Sequence, residues 1–296
     1  MPLATNPIDI NRGTENLVLP VELSQEVWAN AQEESAVMKL AQQINLPGRG
    51  ITIPVVTGDP VADWVAETAE KPVSESTLGM KQMTPYKLAV IELFSNEFRR
   101  DLPALYEELV RRLPASIGKK FDKTVFNGTA PGSNFDVLTN SSAIGIGGDN
   151  TYGKLVGVLE TLGGADAELT GFAMAPQGEA ILLKATDGQQ RPIFIENVND
   201  DNGIVRVLGA RVERSRRAFA AGTPNTVGFA GDWTKARYGI VDGINLAISE
   251  EATINTGDEI VNTWQRNMFA VRVEAEVGFV VQDADAFVKL TDEAGE

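Results

Sequence analysis

The sequence predicts a mixed α+β protein, and three observations predict it. Leu105, Leu109, Leu113, Ile117, Phe121 and Val125 repeat every four residues, the spacing of one buried helix face. From 262 to 281 the run NTWQRNMFAVRVEAEVGFVV alternates, with Phe269, Val271, Val273, Ala275 and Val277 on one face and Arg272, Glu274 and Glu276 on the other, as in a long half-buried strand. Between these, short helical and strand patterns interleave, with no internal repeat and no break that separates two domains.

Residues 1–19 read as an extended polar arm. Pro20 opens a helix, VELSQEVWANAQEESAVMKLAQQIN, with Val37, Leu40, Ala41 and Ile44 on one face and Trp28 with Ala31 as a second apolar patch. Asn45-Leu46-Pro47-Gly48 stops it. This helix suits core packing or docking on a neighbouring chain. ITIPVV is a short strand whose proline suits a sheet edge. A polar stretch, DWVAETAEKPVSESTLGMKQMTPYK, leads to an alternating strand, LAVIELFSNEF, so the segment reads as a long hairpin. Most of its residues cannot reach a core in their own chain, and loops this long in compact domains are usually either disordered or functional. Pairing with another subunit is the function implied, with Trp28, Trp64, Lys71, Lys81 and Tyr86 as candidate contacts.

The helix over 101–127 takes Asp101 as N-cap, tolerates Pro103 in its first turn and closes at Asn127-Gly128; Pro114 removes one hydrogen bond and predicts a kink. Residues 99–123 hold seven basic and four acidic side chains, so this segment is +3 and the rest of the chain −18. At 100° per residue, Arg112, Lys119 and Lys123 fall within about 40° of one another, away from the leucines. This basic stripe is a solvated face, an inter-subunit contact or an inner surface facing enclosed nucleic acid. Residues 129–150 read as a Gly/Ser/Asn-rich connector. TYGKLVGVLETL is a helix with Tyr152, Leu155, Val156, Leu159 and Leu162 on one side, GFAMAP a buried strand, PQGEAILLKATDG a short helix, and IFIENV-NDDNG-IVRVLGARVERS a hairpin around its Asn/Asp/Gly turn. From TVGFAGDW to the end the pattern is nearly all strand.

Composition narrows the chemistry. The 296 residues contain 26 Lys+Arg and 41 Asp+Glu, a formal charge of −15, with no Cys and no His. That excludes disulfides, thiolate nucleophiles, imidazole metal ligands and a Ser-His-Asp triad. A hydrophobic share of 43% supports a sizeable core. No apolar run approaches the roughly 20 residues of a membrane span, and MPLATNPIDINRGTEN lacks the basic and apolar regions of a signal peptide, so a soluble protein made in the cytoplasm is expected. The acidic balance argues against tight nucleic-acid binding.

Each motif that could carry catalysis falls short. Gly148-Asp149-Asn150-Thr151-Tyr152-Gly153-Lys154 has phosphate-loop spacing, but Leu155 replaces the Mg²⁺-holding hydroxyl, Asp149 places negative charge in the cradle, and no apolar strand is read before it. Asn197–Gly203 resembles a Ca²⁺ loop, yet Leu208 stands where the bidentate Glu belongs. Asp283 with Asp285, and Glu274 with Glu276, read as surface charge; Arg211, Arg214, Arg216 and Arg217 end a strand and read as partners of acidic neighbours. No catalytic, cofactor or metal site emerges.

LVLPVELSQEVWANAQEESAVMKLAQQINLPGRGITIPVV, then LFSNEFRRDLPALYEELVRRLPASIGKKFDKTVFNGTAPG, then GFAGDWTKARYGIVDGINLAISEEA with NTWQRNMFAVRVEAEVGFVVQDADAFVKLT, resemble in order and spacing the major capsid protein family of tailed bacteriophages, with its Hong Kong 97-type fold. The resemblance spans about residue 17 to 292. It implies an N-terminal arm with helix (1–50), an extended loop (51–98), a peripheral domain with a long spine helix (99–128 and 242–278) and an axial domain (129–241 and 279–296). It also implies hexamers and pentamers closing into an icosahedral virion shell around double-stranded DNA, assembled in the host cytoplasm, with a portal as a further partner. A mostly acidic subunit suits a lining that must not grip DNA. The arm begins within about twenty residues of Met1, so scaffolding, where needed, is expected from a separate protein, as is any decoration. Some members form a Lys–Asn isopeptide cross-link assisted by Glu. Lys71, Lys81 and Lys87 in the loop, and Asn245, Asn255 and Glu250 in the late strands, supply the residue types, which alone are poor evidence. Two other readings are an encapsulin-like nanocompartment and a soluble carboxylate-dependent α/β enzyme, the latter a compact monomer.

Overall fold

The computed structural model describes residues 35–294 apart from 59–61, 66, 68–69, 72, 74–76, 102, 188, 195–205 and 258. Alternation along two 14-residue segments builds the first sheet. β10 (Ala236–Ser249) and β13 (Met268–Val281) pair antiparallel, with Phe269, Val271, Val273, Ala275 and Val277 buried and Arg272 exposed. β4 (Tyr86–Ser95) flanks β13, and β1 (Gln42–Asn45) runs parallel to β10 at the other edge, giving the order β1-β10-β13-β4.

β1 corrects the expectation of one helix reaching Asn45. The described helix, α1 (Ala36–Leu40), spans five residues, begins with Ser35 Oγ accepting from Met38 N, and stops where Ala41 turns extended. Gln42–Asn45 then find backbone partners at Arg237–Ile240, and tertiary pairing overrides helix propensity. The part of the expected helix before Ser35, with Trp28 and Ala31, lies outside the described residues.

The hairpin also differs. β2 (Ile51–Gly58) pairs with β3 (Thr77–Met83), read as polar loop, and not with β4. β4 ends at Ser95, whose Oγ accepts from Phe98 N at 2.9 Å and opens α2 (Asn96–Asp101). Asp101 therefore closes a helix, paired to Arg100 at 2.7 Å, before α3 (Pro103–Asn127) begins. α3 runs through Pro114 and buries Leu113, Ile117, Phe121 and Val125 against the first sheet, as the four-residue repeat predicts.

The second sheet has six strands in the order β5-β14-β9-β6-β8-β7. They are β5 (Ser142–Gly147), β6 (Gly171–Met174), β7 (Arg206–Val207), β8 (Ala210–Arg214), β9 (Thr226–Gly231) and β14 (Phe287–Ala294). Phe172, Met174, Ala230, Val288 and Leu290 pack on one face with α4 (Thr151–Gly164) and α5 (Pro176–Lys184); Ala173, Phe229 and Phe287 join the core around α3. α4 buries Thr151, Leu155, Val158 and Leu162, so its inward face is rotated from the expected one, and Tyr152 and Leu159 are exposed. The stretch read as a connector contains β5. The run IVRVLGARVERS is broken into β7 and β8 by Leu208 and Gly209, both at positive φ, as a two-residue hairpin loop requires. The Asn/Asp/Gly turn itself lies outside the described residues.

Trp233 joins the two sheets. Its indole packs edge-on to Phe126 of α3 and Phe287 of β14, and its Nε1 donates to Gly171 O at 3.0 Å. A second tie is a buried carboxyl group. Asp122 of α3 is fully buried and accepts from Ser35 Oγ (2.5 Å), Ala36 N (2.9 Å), Val37 N (3.3 Å) and Ser215 Oγ (3.1 Å). Burial pushes its pKa up from 3.8 to about 6, against the downward pull of those hydrogen bonds. A folded-state value above the unfolded one makes the stabilising contribution complete below about pH 4 and lost as pH rises through 6. At 1.36 kcal/mol per unit the loss is about 3 kcal/mol. In urea unfolding of the full-length subunit, wild type is expected to lose about this much relative to Asp122→Asn between pH 4 and 7; parallel pH profiles of the two proteins would refute the assignment.

Candidate functional site

The β2–β3 ribbon belongs to neither large sheet, so its anchorage decides where it points. Its foot is a small core of Leu46, Ile53, Met83 and Val280. Gly239 and Gly278 sit opposite each other in the β10–β13 register and leave the space that this core fills. A Cβ on Gly239 would lie 2.7 Å from Leu46 Cβ, and one on Gly278 would lie 2.8 Å from Met83 Cγ. Lys81 adds a polar tie, donating to Asp136 Oδ2 at 3.0 Å and to Val281 O at 2.6 Å, while Asp136 also accepts from Val281 N at 2.9 Å. Tyr86 stacks edge-on to Phe135 with centroids 6.0 Å apart, its hydroxyl accepting from Asn134 N. Lys81 and Tyr86 are thus engaged at the ribbon's base within the chain. Beyond the base, Trp64 is fully exposed, and Val73, Leu78, Met80 and Lys71 are exposed as well. Trp28 lies outside the described residues.

A second exposed apolar surface escaped the sequence reading. β11 (Thr253–Asn255) and β12 (Ile260–Asn262) form a separate two-stranded ribbon, with Ile260 exposed on it and Trp264 exposed just after it. The signal was a tryptophan between polar residues in NTWQRN.

On α3, Arg112 and Lys123 are exposed and Lys119 is half-buried. Lys119 shares a cleft of about 410 Å³ with Glu179, Arg214, Arg216 and Arg217, so the helix stripe and the arginine cluster form one surface. As expected, some of these arginines pair with acids: Arg214 with Glu179 at 2.5 Å, and Arg211 with Glu213.

The cross-link candidates are dispersed. Lys87, not Lys81, shares a small cleft with Asn245, together with Glu274 and Glu276, which it approaches at 3.8 and 3.4 Å. Asn255 Oδ1 accepts from Gly257 N, and Glu250 is half-buried between β10 and β11. At the glycine loop, a strand does precede it: β5 runs into Gly148, contrary to expectation. Lys154 nevertheless donates to Gly147 O, Asn150 caps α4 by accepting from Gly153 N, and Asp149, Asp187 and Asp292 line the adjoining cleft of about 950 Å³. A cation turned onto the backbone and three carboxylates make a poor phosphate cradle.

The described residues thus present two ribbons with exposed apolar side chains, one of them on an anchored foot. The phage capsid family matches residues 15–292. A probable major capsid protein of Mycobacterium phage L5 is 32% identical over 292 residues, covering 93% of this chain and 89% of its own, and its counterpart in Mycobacterium phage D29 is 30% identical over 93% and 90%. A solved structure from Gordonia phage Cozz superposes with a TM-score of 0.71 at 24% identity, covering 87% of this chain and 86% of its own. The chain belongs to the phage capsid family. Its function is that of a major capsid protein, a structural component of the virion shell and not an enzyme.

The glycine seat is open to test. Gly278→Val forces a branched side chain against Met83 and Leu46 and is expected to cost about 1–3 kcal/mol in urea unfolding. Amide exchange should accelerate in β2 and β3 and stay unchanged in β6 and β9; a uniform change would show that the seat does not govern the ribbon.

Proposed function

We propose that the chain assembles as hexamers and pentamers into an icosahedral shell that encloses double-stranded DNA. Assembly takes place in the host cytoplasm, with a portal and a separate scaffolding or decoration protein as further partners. In this reading α3 is the spine of a peripheral domain (99–128 and 242–278), the six-stranded sheet forms the axial domain (129–241 and 279–296), and the arm (1–50) and extended loop (51–98) reach neighbouring subunits. The observation that carries it is the β2–β3 ribbon. An isolated two-stranded ribbon is marginal in water, and this one exposes Leu78 and Met80, with Trp64 exposed in the segment that joins its strands. A neighbouring subunit supplies the missing core, with Trp28, Trp64 and Lys71 at the contact and Lys81 and Tyr86 fixing the ribbon's base.

Negative-stain microscopy of the purified protein is expected to show closed shells, and native particles should absorb as nucleoprotein. Shells without nucleic acid would indicate a nanocompartment instead, and a compact monomer would overturn assembly altogether. Trp64→Ala should leave thermal unfolding of the unassembled subunit within about 0.5 kcal/mol of wild type, since the ring is fully exposed among the described residues, while lowering the yield of shells. Unchanged shell yield would remove Trp64 from the contact.

A further inference from the structure

Charge is not spread evenly over this chain. Residues 112–127 and 206–217 hold nine cations and two acids, net +7, so the other residues carry −22. One of the two acids, Asp122, is buried. The segments meet in space: Asn127 Nδ2 donates to Arg217 O at 2.8 Å, and Ser215 donates to Asp122. Lys119, Arg214, Arg216 and Arg217 surround the cleft at this junction, with Lys123 one helical turn beyond Lys119. Arg214 is held by Glu179. Arg216, Arg217 and Lys123 are exposed and hold no ion pair among the described residues.

We propose that this surface binds the phosphate backbone of double-stranded DNA on the inner face of the shell. The inference rests on the reading that the shell encloses DNA, and it names the residues that touch it. Three of the five cations are arginines, whose planar fork matches phosphate oxygens. From Arg112 to Lys123 the stripe extends about 16 Å along the helix, roughly half a turn of duplex. A protein partner would call for apolar anchors at the centre of the patch. Among the described residues the exposed large apolar side chains lie elsewhere, on the two ribbons and the segment joining β2 to β3, on β4, and on and after the helices of the second sheet, and none lines this cleft. The acidic remainder repels duplex and confines contact to this patch, so the shell holds its contents loosely while fixing which face they meet.

The test uses Arg216→Glu/Arg217→Glu in the full-length chain. The turn is held through Ser215 Oγ to Arg217 N and Asn127 to Arg217 O, which leave both side chains free to change. Arg49→Glu/Arg191→Glu applies the same charge change elsewhere on the surface. Binding of unassembled subunits to a labelled duplex of about 20 base pairs, followed by fluorescence polarisation as salt rises, should weaken about tenfold in the first variant, with the log–log salt slope smaller by about 2. The control should match wild type, and Arg216→Gln/Arg217→Gln should lose less in the same direction. Failure of wild type to bind the duplex, or equal loss in the control, would overturn the assignment. Equal or tighter binding of polyglutamate would give the surface to an acidic protein segment instead. Wild-type particles devoid of DNA would overturn the enclosure reading itself. Full particles, with unaltered duplex binding by the charge-reversed variant, would overturn this inference alone.

Discussion

One buried carboxylate orders much of this molecule. Asp122 takes two hydrogen bonds from the start of α1, one from Ser35 and one from Ser215, so the N-terminal segment, the long helix and the second sheet converge on a single side chain. Such a group is costly to bury charged and costly to remove, because four donors would lose their acceptor. Ser215 also opens the turn that carries Arg216 and Arg217, and Asp122 lies between Lys119 and Lys123 on the helix. The group that fixes the fold therefore fixes the spacing of the basic surface.

The two sheets share one continuous core instead of meeting as separate units. Two aromatic groups on α3 line it: Phe121 with Tyr238 and Phe279 of the first sheet, and Phe126 with Phe229, Trp233 and, through the indole, Phe287 on the side of the second. Close approach at Gly171 and Gly231, where a Cβ would meet Leu40 at 2.9 Å and Ala286 O at 2.5 Å, lets the strands pack tightly around the indole. Interior packing of this kind leaves the ribbons as the surfaces on which the proposed chain-to-chain contact would form.

What could be read from the sequence follows from how often each pattern repeats. α3 and β13 announce themselves because their periods persist over many residues, and the joints around them were enough to point to the capsid family. Shorter elements were lost to composition. Thr77–Met83 looks polar because Leu78 and Met80 face outward in the chain, and Ser142–Gly147 looks like a linker because its glycines hide a strand that β14 pairs with from the far end of the chain. Gln42 and Gln43 are ordinary helix residues, extended only because β10 stands beside them. The contact surfaces divide the same way. An exposed tryptophan such as Trp64 can be suspected from its polar surroundings, whereas the meeting of Lys119 with Arg214–Arg217 depends on a turn about ninety residues away in the chain.

The paired glycines of β10 and β13 have a mechanical meaning as well as a steric one. Leu46 arrives in their hollow from the N-terminal segment and Met83 from the ribbon, so two strands leaving the body share one socket. A push on the ribbon therefore bears on Leu46 and on the β10–β13 floor together. In the proposed shell, a neighbour engaging the ribbon would make the subunit a lever with its fulcrum at two missing side chains.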